Sequence, residues 1–208
     1  MKRALMVVVT LSSGCALLSK GEPGTRRFYA LDSAVEVERS KGDAPNAELR
    51  LGRVTAGACG SESMMVRQSS FEVVFDGERR WTERPEVSLR RALSRVLFEE
   101  VGLRSVVRGG PVLEVELLEF EEVRGPQPVG RVTVSWSLSD DRVVSRQQTV
   151  RVERPIVKSE HDGDGVAAAI GAAMGGVVET IARQVRAELV TPGLSRIEAL
   201  RGPVPSVP

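Results

Sequence analysis

The first fourteen residues have the pattern of a secretory leader, and this limits which part of the chain can fold. Met1-Lys2-Arg3 is a short positive segment, and Ala4 to Leu11 is an apolar run. The run has about the length of a signal-peptide core and is too short to cross a bilayer, which requires about 20 apolar residues. We predict that residues 1–14 are a signal peptide. The alternative, a buried strand from Leu5 to Leu11, leaves the basic start unexplained.

Small residues precede Cys15, and the segment Ser12-Ser13-Gly14-Cys15 resembles the lipobox of bacterial lipoproteins. In that group the cysteine becomes the new N-terminus and carries acyl chains, so the resemblance implies that Cys15 is the lipid attachment site. Several acyl chains would hold the protein on a membrane surface, because each buried methylene contributes about 0.8 kcal/mol. Ser12 stands where a lipobox usually has Leu, which leaves plain secretion as the alternative. Ala16 follows the cysteine, and in enteric lipoproteins a residue other than Asp there favours the outer membrane.

Composition indicates one ordinary globular domain and excludes a typical nucleic-acid binder. Of 208 residues, 41% are hydrophobic and 27% are charged, which is sufficient for one core. Lys and Arg number 29 against 28 Asp and Glu, and only 4% of residues are aromatic. Nucleic-acid binding normally requires a basic excess or rings on which bases stack. We therefore expect no nucleic-acid partner.

Local composition divides the chain into a tether, a domain and a tail. Residues 15–25 are predicted to be a lipidated tether, because Ser, Lys, two Gly and a Pro are concentrated there. Residues 26–190 form the predicted single periplasmic domain. Residues 191–208 contain four Pro and are predicted to be a flexible tail.

Alternation of apolar and polar residues predicts seven strands. They cover Arg26–Val37, Glu48–Thr55, Met64–Arg67, Phe71–Phe75, Val112–Val123, Val132–Leu138 and Val143–Val152. Asp76-Gly77 predicts a turn that ends the fourth of these strands. A change of phase at Leu117-Leu118 predicts a β-bulge.

Two segments have helical periodicity. Pro85–Leu103 begins with a proline, which suits the first helical position, and has Gly102 as its predicted C-cap. Val166–Val190 carries an apolar stripe at helical spacing, and Asp162 or Asp164 is its predicted cap. Strands interrupted by single helices predict an α+β fold, a largely antiparallel sheet with two main helices packed on one face.

The first half of the second helix, Gly165 to Val178, has no charge and is rich in Ala and Gly. We expect this half to pack closely on the sheet, with a groove or a contact in a homo-oligomer as the alternative. A membrane span is disfavoured because the uncharged run is shorter than about 18 residues.

The residue types needed for catalysis or metal binding do not converge in this sequence. His161 is the only histidine, so one chain cannot build a multi-histidine metal site, and a Ser-His-Asp triad would depend on this one residue. Residues 160–164 lack the spacing of a calcium-binding EF-hand loop and indicate a solvated loop with a helix cap. Gly171–Gly176 lacks a phosphate-binding pattern. We predict no catalytic residue, no cofactor and no metal.

Cysteine and glutamate clusters have structural interpretations. Cys59 has no Cys-x-x-Cys partner and is predicted to be structural. If Cys15 is acylated, an intramolecular disulfide is impossible, and if it is not, the two cysteines could pair. Glu119, Glu121 and Glu122 are predicted to be solvated charges at a strand end.

Several short motifs together resemble the auxiliary lipoproteins of ABC-type transport systems, a family that includes the paraquat-inducible lipoprotein and partners of MCE-domain (mammalian cell entry) proteins. The resemblance covers roughly residues 28–189. Its carriers are Cys15, Phe28-Tyr29-Ala30-Leu31, Met65-Val66-Arg67, Arg80-Trp81-Thr82-Glu83-Arg84-Pro85, Leu113-Glu114-Val115, Phe120 and the Ala-rich last helix.

The resemblance implies an outer-membrane lipoprotein whose periplasmic domain meets an MCE-domain protein and an inner-membrane ABC permease system. Together they would move lipids or other hydrophobic molecules, with ATP hydrolysis in another subunit. The alternatives are a structural or assembly lipoprotein of the outer membrane and, less favoured, a secreted enzyme. Trp81 has two interpretations, a core aromatic beside the helix start or a partner contact, where Trp is enriched.

Overall fold

The computed structural model describes residues 25–31, 47–140, 143–157, 159 and 163–190. The predicted leader, Cys15, His161 and the tail lie outside these residues. In chain order the elements are β1 Arg27–Tyr29, β2 Glu48–Ala56, β3 Ser63–Arg67, β4 Val73–Trp81, α1 Pro85–Ser94, β5 Arg104–Ser105, β6 Val112–Val123, β7 Val129–Asp140, β8 Val143–Pro155 and α2 Asp164–Val190.

Strand β6 is the centre of a mixed eight-stranded sheet. On one side it pairs antiparallel with β7 along its whole length, and β8 continues this meander. On the other side β2 pairs parallel with the first half of β6, and β3 pairs parallel with the second half. Strand β4 lies antiparallel to β3, while β1 is parallel to β4 and β5 is parallel to β2. The α+β prediction is confirmed, and its longest ladders are antiparallel.

Helices α1 and α2 pack on one face of this sheet, as predicted. α2 crosses β7 and β8, and α1 lies against β2 and touches α2. The predicted apolar stripe of α2 is buried, with Val177, Ile181 and Val185 at 0% exposure. Gly130 of β7 allows this approach, because a Cβ there would lie 2.7 Å from the Ile170 backbone nitrogen. The close packing predicted from the small residues of α2 is therefore confirmed.

α2 is long and apolar enough to cross a membrane by length and composition alone. In the fold, 67% of its most apolar window is buried inside the domain. The contacts with the sheet thus account for its hydrophobicity.

The first predicted helix begins where expected but ends earlier. Pro85 occupies the first turn, and Gly102 has a φ of 77°, the left-handed conformation of a C-terminal glycine. Regular α-helix stops at Ser94, and residues 95–100 continue as a π-helical turn. The hydrogen bond typical of a π-helix is present at its end, because the Val101 N–H donates to the carbonyl of Val96, five positions earlier, at 2.8 Å.

Two predicted irregularities have different outcomes. The bulge in β6 is confirmed, because the register with β7 shifts between Leu117 and Glu119. The prediction that Asp76-Gly77 ends a strand is wrong, since β4 continues to Trp81. The Asp76 carboxylate instead accepts hydrogen bonds from the N–H groups of Glu78 and Arg79, both at 2.8 Å, and closes a bulge within β4.

Short or local features could not be predicted from the sequence patterns. The two-residue strand β5 has no periodicity to detect and was not predicted. At the start of α2, Asp164 is the first helical residue, and Gly163 precedes it with a φ of 101°. The Ala167 N–H donates to the Gly163 carbonyl at 2.8 Å.

Candidate functional site on the charged face of the sheet

Trp81 lies in the core, which is the structural one of its two interpretations. Its side chain is 2% exposed and packs edge-to-face on Phe120, with ring centroids 5.3 Å apart. The buried indole therefore has almost no exposed surface that a partner protein could contact. The motif that contains Trp81 therefore supports the fold, because it joins the end of β4 to the start of α1.

Cys59 is a free, buried cysteine between β2 and β3. Its thiol donates a hydrogen bond to the Leu117 carbonyl at 3.1 Å, at the bulge in β6. Burial raises the pKa of the thiol to about 11. A thiol with this pKa is a poor nucleophile at neutral pH, so the geometry suits the structural role expected for Cys59.

Of the three glutamates predicted to be solvated, Glu121 and Glu122 are buried, so that expectation is wrong for these two, while Glu119 is half-buried. Glu121 is 0% exposed and Glu122 is 8% exposed. The alternation of β6 sends Glu121 to the face that carries no helix in the described part of the chain, here called the outer face. It sends Glu122 to the helix-bearing face. Each carboxylate is desolvated and held by arginines from other strands.

On the outer face, Glu121 is covered by two arginines. Arg67 of β3 donates to both carboxylate oxygens, at 2.7 and 3.0 Å, and Arg131 of β7 approaches at 3.5 Å. The hydrogen bonds that Arg67 donates to Glu121 raise the pKa of the Arg67 guanidinium above its usual value. Such bidentate pairs fix both side chains, so this part of the face is a rigid charged surface.

The network extends across β7 and β8. Arg131 also pairs with Glu153 at 2.7 Å, and Arg151 pairs with Glu119 at 2.9 Å. Thr133 joins the second pair, because its hydroxyl donates to Glu119 and accepts from the Arg151 guanidinium at 3.1 Å. Four strands are thereby cross-linked by side chains on one face.

A second network lies on the helix-bearing face at the same end of the sheet. Arg79 of β4 is 5% exposed and bonds Glu122 at 2.7 Å and Asp76 at 2.8 Å. Burial opposes ionisation of Asp76, but hydrogen bonds from the Arg79 and Glu78 backbone and the Arg79 guanidinium outweigh it. The pKa of Asp76 is therefore lowered. Arg124 bonds the other oxygen of Glu122 at 3.1 Å.

A surface groove of about 490 Å³ lies beside the outer network. It is lined by Arg67, Ser69, Ser70, Glu119, Val123, Arg124 and Arg131. Each of its arginines already pairs with a glutamate, so the groove offers no surplus charge for a small anion. No group of His, Cys, Asp and Glu in the described part of the chain could hold a metal. The arrangement can present a fixed polar surface to a macromolecule, but it assembles no acid, base or nucleophile pair.

The sequence contained one signal for these networks that the strand patterns did not use. Three arginines interrupt or adjoin apolar residues inside strands, where an unpaired charge would be costly: Arg67, Arg131 and Arg151. Acidic residues in β6 are their natural partners. The sequence does not show the strand order, which brings Arg67 into contact with Glu121, 54 positions away.

Comparison with solved structures gives the same fold. A protein from Xanthomonas campestris of the DUF330 family is 20% identical and has a TM-score of 0.66, covering 83% of this chain and 98% of that one. A second, uncharacterised protein is 15% identical with a TM-score of 0.61, over 77% and 99% of the two chains. A hypothetical protein from Chlamydia trachomatis is 9% identical with a TM-score of 0.50, over 71% and 99%. No curated protein matches the chain.

The family model of ABC-type transport auxiliary lipoprotein components matches residues 29–185, from β1 to the last turns of α2. This range contains nearly the whole sheet, both helices and the two charged networks. Members of this family are described as auxiliary lipoprotein components of ABC-type transport. The chain belongs to the ABC-type transport auxiliary lipoprotein family.

Proposed function

We propose that this protein is a non-catalytic auxiliary of an MCE-type envelope transport system that moves lipids or other hydrophobic molecules. Acyl chains on Cys15 would hold it in the outer membrane, facing the periplasm. Its partners would be an MCE-domain protein and, through that protein, an inner-membrane ABC permease system. ATP hydrolysis would belong to another subunit of that system.

The family match over residues 29–185 is the observation that carries this proposal, because it covers the folded domain. The chemistry of the domain supports it. The buried carboxylates are neutralised by arginines, and the Cys59 thiol is held protonated by burial, so neither is suited to covalent catalysis. A rigid face of charges fixed in pairs suits recognition of a protein surface, where electrostatic complementarity gives specificity.

The direct test is capture of the complete protein from the membranes of the organism that makes it. A C-terminally tagged chain is extracted with mild detergent and purified, and bound proteins and lipids are identified by mass spectrometry. We expect an MCE-domain protein and permease subunits to co-purify with the native chain. Cys15→Ser is the matched control and should lose membrane retention while keeping a folded domain.

Two results would contradict the proposal. One is an unmodified Cys15 thiol, or an intact leader, on protein recovered from the soluble fraction. The other is co-purification of an outer-membrane β-barrel without MCE or permease subunits, which would favour the alternative of an assembly lipoprotein. Mass spectrometry of the N-terminal peptide decides the first, and the identity of the captured proteins decides the second.

A further inference from the structure

The tip of the β3–β4 hairpin presents a phenylalanine to water. Phe71 is 99% exposed, more than any other large hydrophobic residue in the described part of the chain. The turn beneath it is ordered. The Gln68 N–H donates to the Glu72 carbonyl at 2.9 Å, and the Ser69 hydroxyl oxygen accepts from the N–H groups of Phe71 and Glu72 at 3.3 and 3.2 Å. The ring is therefore held away from the domain by its own turn.

Strand register places this tip at one end of the sheet together with other loops. Arg67 lies opposite Val123, so the tip and the β6–β7 turn share that end. The Arg124 N–H ties them together by donating to the Arg67 carbonyl at 3.0 Å. Val129 lies opposite Pro155, so β8 also finishes there, and Val157 just beyond it is 73% exposed.

The chain comes into the domain from the same end. β1 is parallel to β4, with Arg27 opposite Arg79, and β4 itself starts from the hairpin tip. The residues before β1 therefore lead towards the tip. Arg26 and Arg27, where the chain approaches from that end, are exposed. These cations suit the phosphates of anionic phospholipids.

The length of the tether favours this end as the one that faces the bilayer. Ten residue steps separate Cys15 from Thr25, which span at most about 35 Å when fully extended. β6 alone, with 12 residues, is about 40 Å long. If the opposite end faced the membrane, the tether would have to reverse and run back along much of that length.

We propose that the hairpin tip inserts Phe71 into the interfacial layer of the same bilayer that holds the acyl chains. This second contact would fix the orientation of the domain, because Phe is one of the apolar residues that bury at the boundary between headgroups and acyl chains. The inference rests on the proposed function in one respect, the anchor at Cys15. What it adds is that the exposed tip binds the lipid surface.

The experiment uses the complete acylated protein in vesicles of phosphatidylethanolamine and phosphatidylglycerol, with and without brominated acyl chains. Phe71→Trp adds an exposed indole, while the native Trp81 and Trp136 are 2% and 1% exposed and give a constant background. Val107→Trp is the matched control, because Val107 is 87% exposed and follows β5 at the opposite end of the sheet. Flotation of the vesicles measures anchoring separately.

We expect brominated lipid to remove most of the fluorescence that Phe71→Trp adds, with emission shifted to shorter wavelength, and to leave Val107→Trp unchanged. Protein that floats while the Phe71→Trp indole stays in water overturns the inference but not the anchor. Equal quenching of both variants also overturns it. An emission shift that occurs only when an MCE-domain protein is added assigns the tip to a protein partner. Protein that does not float refutes the anchor and, with it, the inference.

Discussion

The two faces of the sheet are stabilised in different ways. The helix-bearing face is largely aliphatic, and α2 approaches it so closely that Gly130 of β7 has no room for a side chain. The outer face has no helix in the described residues, yet Glu121 of the central strand β6 is as inaccessible as a core leucine. There the cover consists of arginine side chains that pair with carboxylates. Apart from the Arg79 network at one end, the helix-bearing face depends on close packing, whereas the outer face around Glu121 depends on complementary charge.

This difference indicates where the fold tolerates change. Packed backbone atoms cannot move to accept extra volume. Substitutions that add atoms to the helix-bearing face should therefore lower the stability of the fold most. Ion pairs can be replaced as a unit by apolar pairs but not one partner at a time. On the outer face, the largest loss of stability should come from substitutions that remove only one partner of an ion pair. The following predictions test this contrast in order of decreasing effect.

Gly130→Ala should cause the largest loss of stability. The added Cβ would meet backbone atoms of α2, the Ile170 nitrogen at 2.7 Å and the Ala169 carbonyl carbon at 2.9 Å. We expect the free energy of unfolding to fall by about 3 kcal/mol, the upper range for overpacking. Gly125→Ala is the control, because nothing lies within 4 Å of a Cβ there. Urea denaturation followed by circular dichroism measures both, and equal stability of the two variants would contradict close packing of α2 on β7.

Glu121→Leu should lower the stability by about as much. It leaves Arg67 and Arg131 without their shared carboxylate, and loss of one partner of a buried pair costs about 3 kcal/mol. The double variant Glu121→Leu with Arg67→Leu should recover most of the loss, because it removes both charges. Denaturation of the single and double variants measures this. A double variant no more stable than Glu121→Leu would show that the outer face needs this ion pair.

The lowered pKa of Asp76 makes stability depend on pH. The unfolded chain protonates Asp76 at higher pH than the folded chain does, so its contribution is complete above the unfolded value near 3.8. It is lost as the pH falls through the lower, folded pKa. Asp76→Asn should lower the free energy of unfolding by about 1–2 kcal/mol at neutral pH, because charged hydrogen bonds are lost.

Acid titration of stability provides the control for this assignment. Between about pH 5 and pH 2 the stability difference between the native chain and Asp76→Asn should shrink, as the native carboxylate becomes protonated. Glu78→Gln, an exposed neighbour in the same bulge, should leave the acid dependence unchanged. A difference that stays constant over this range would assign the effect to amide geometry instead of charge.

The contrast between the faces also explains what the sequence could predict. The stripe of α2 and the alternation in β6 and β7 are local patterns, so the helix-bearing face followed from periodicity alone. The outer face did not, because charges within a strand have the pattern of solvated residues until their partners are known. Glu121 is paired through strand order, across 54 positions to Arg67. The prediction that Asp76-Gly77 ends a strand was wrong for a related reason. The same residue types occur in bulges and in hairpin turns, and only the pairing of the strands distinguishes the two.

The smallest effect is expected for an ion pair with the same strand relationship but a different environment. Arg53 of β2 and Glu114 of β6 face each other at 3.4 Å, with side chains 82% and 46% exposed. Their coupling in a double-mutant cycle should be below about 0.5 kcal/mol and should vanish in high salt. The pair of Arg67 and Glu121 should give a coupling above about 1.5 kcal/mol that persists in salt, because water and ions do not reach Glu121. Equal couplings would mean that burial under arginines adds nothing to the strength of the ion pair.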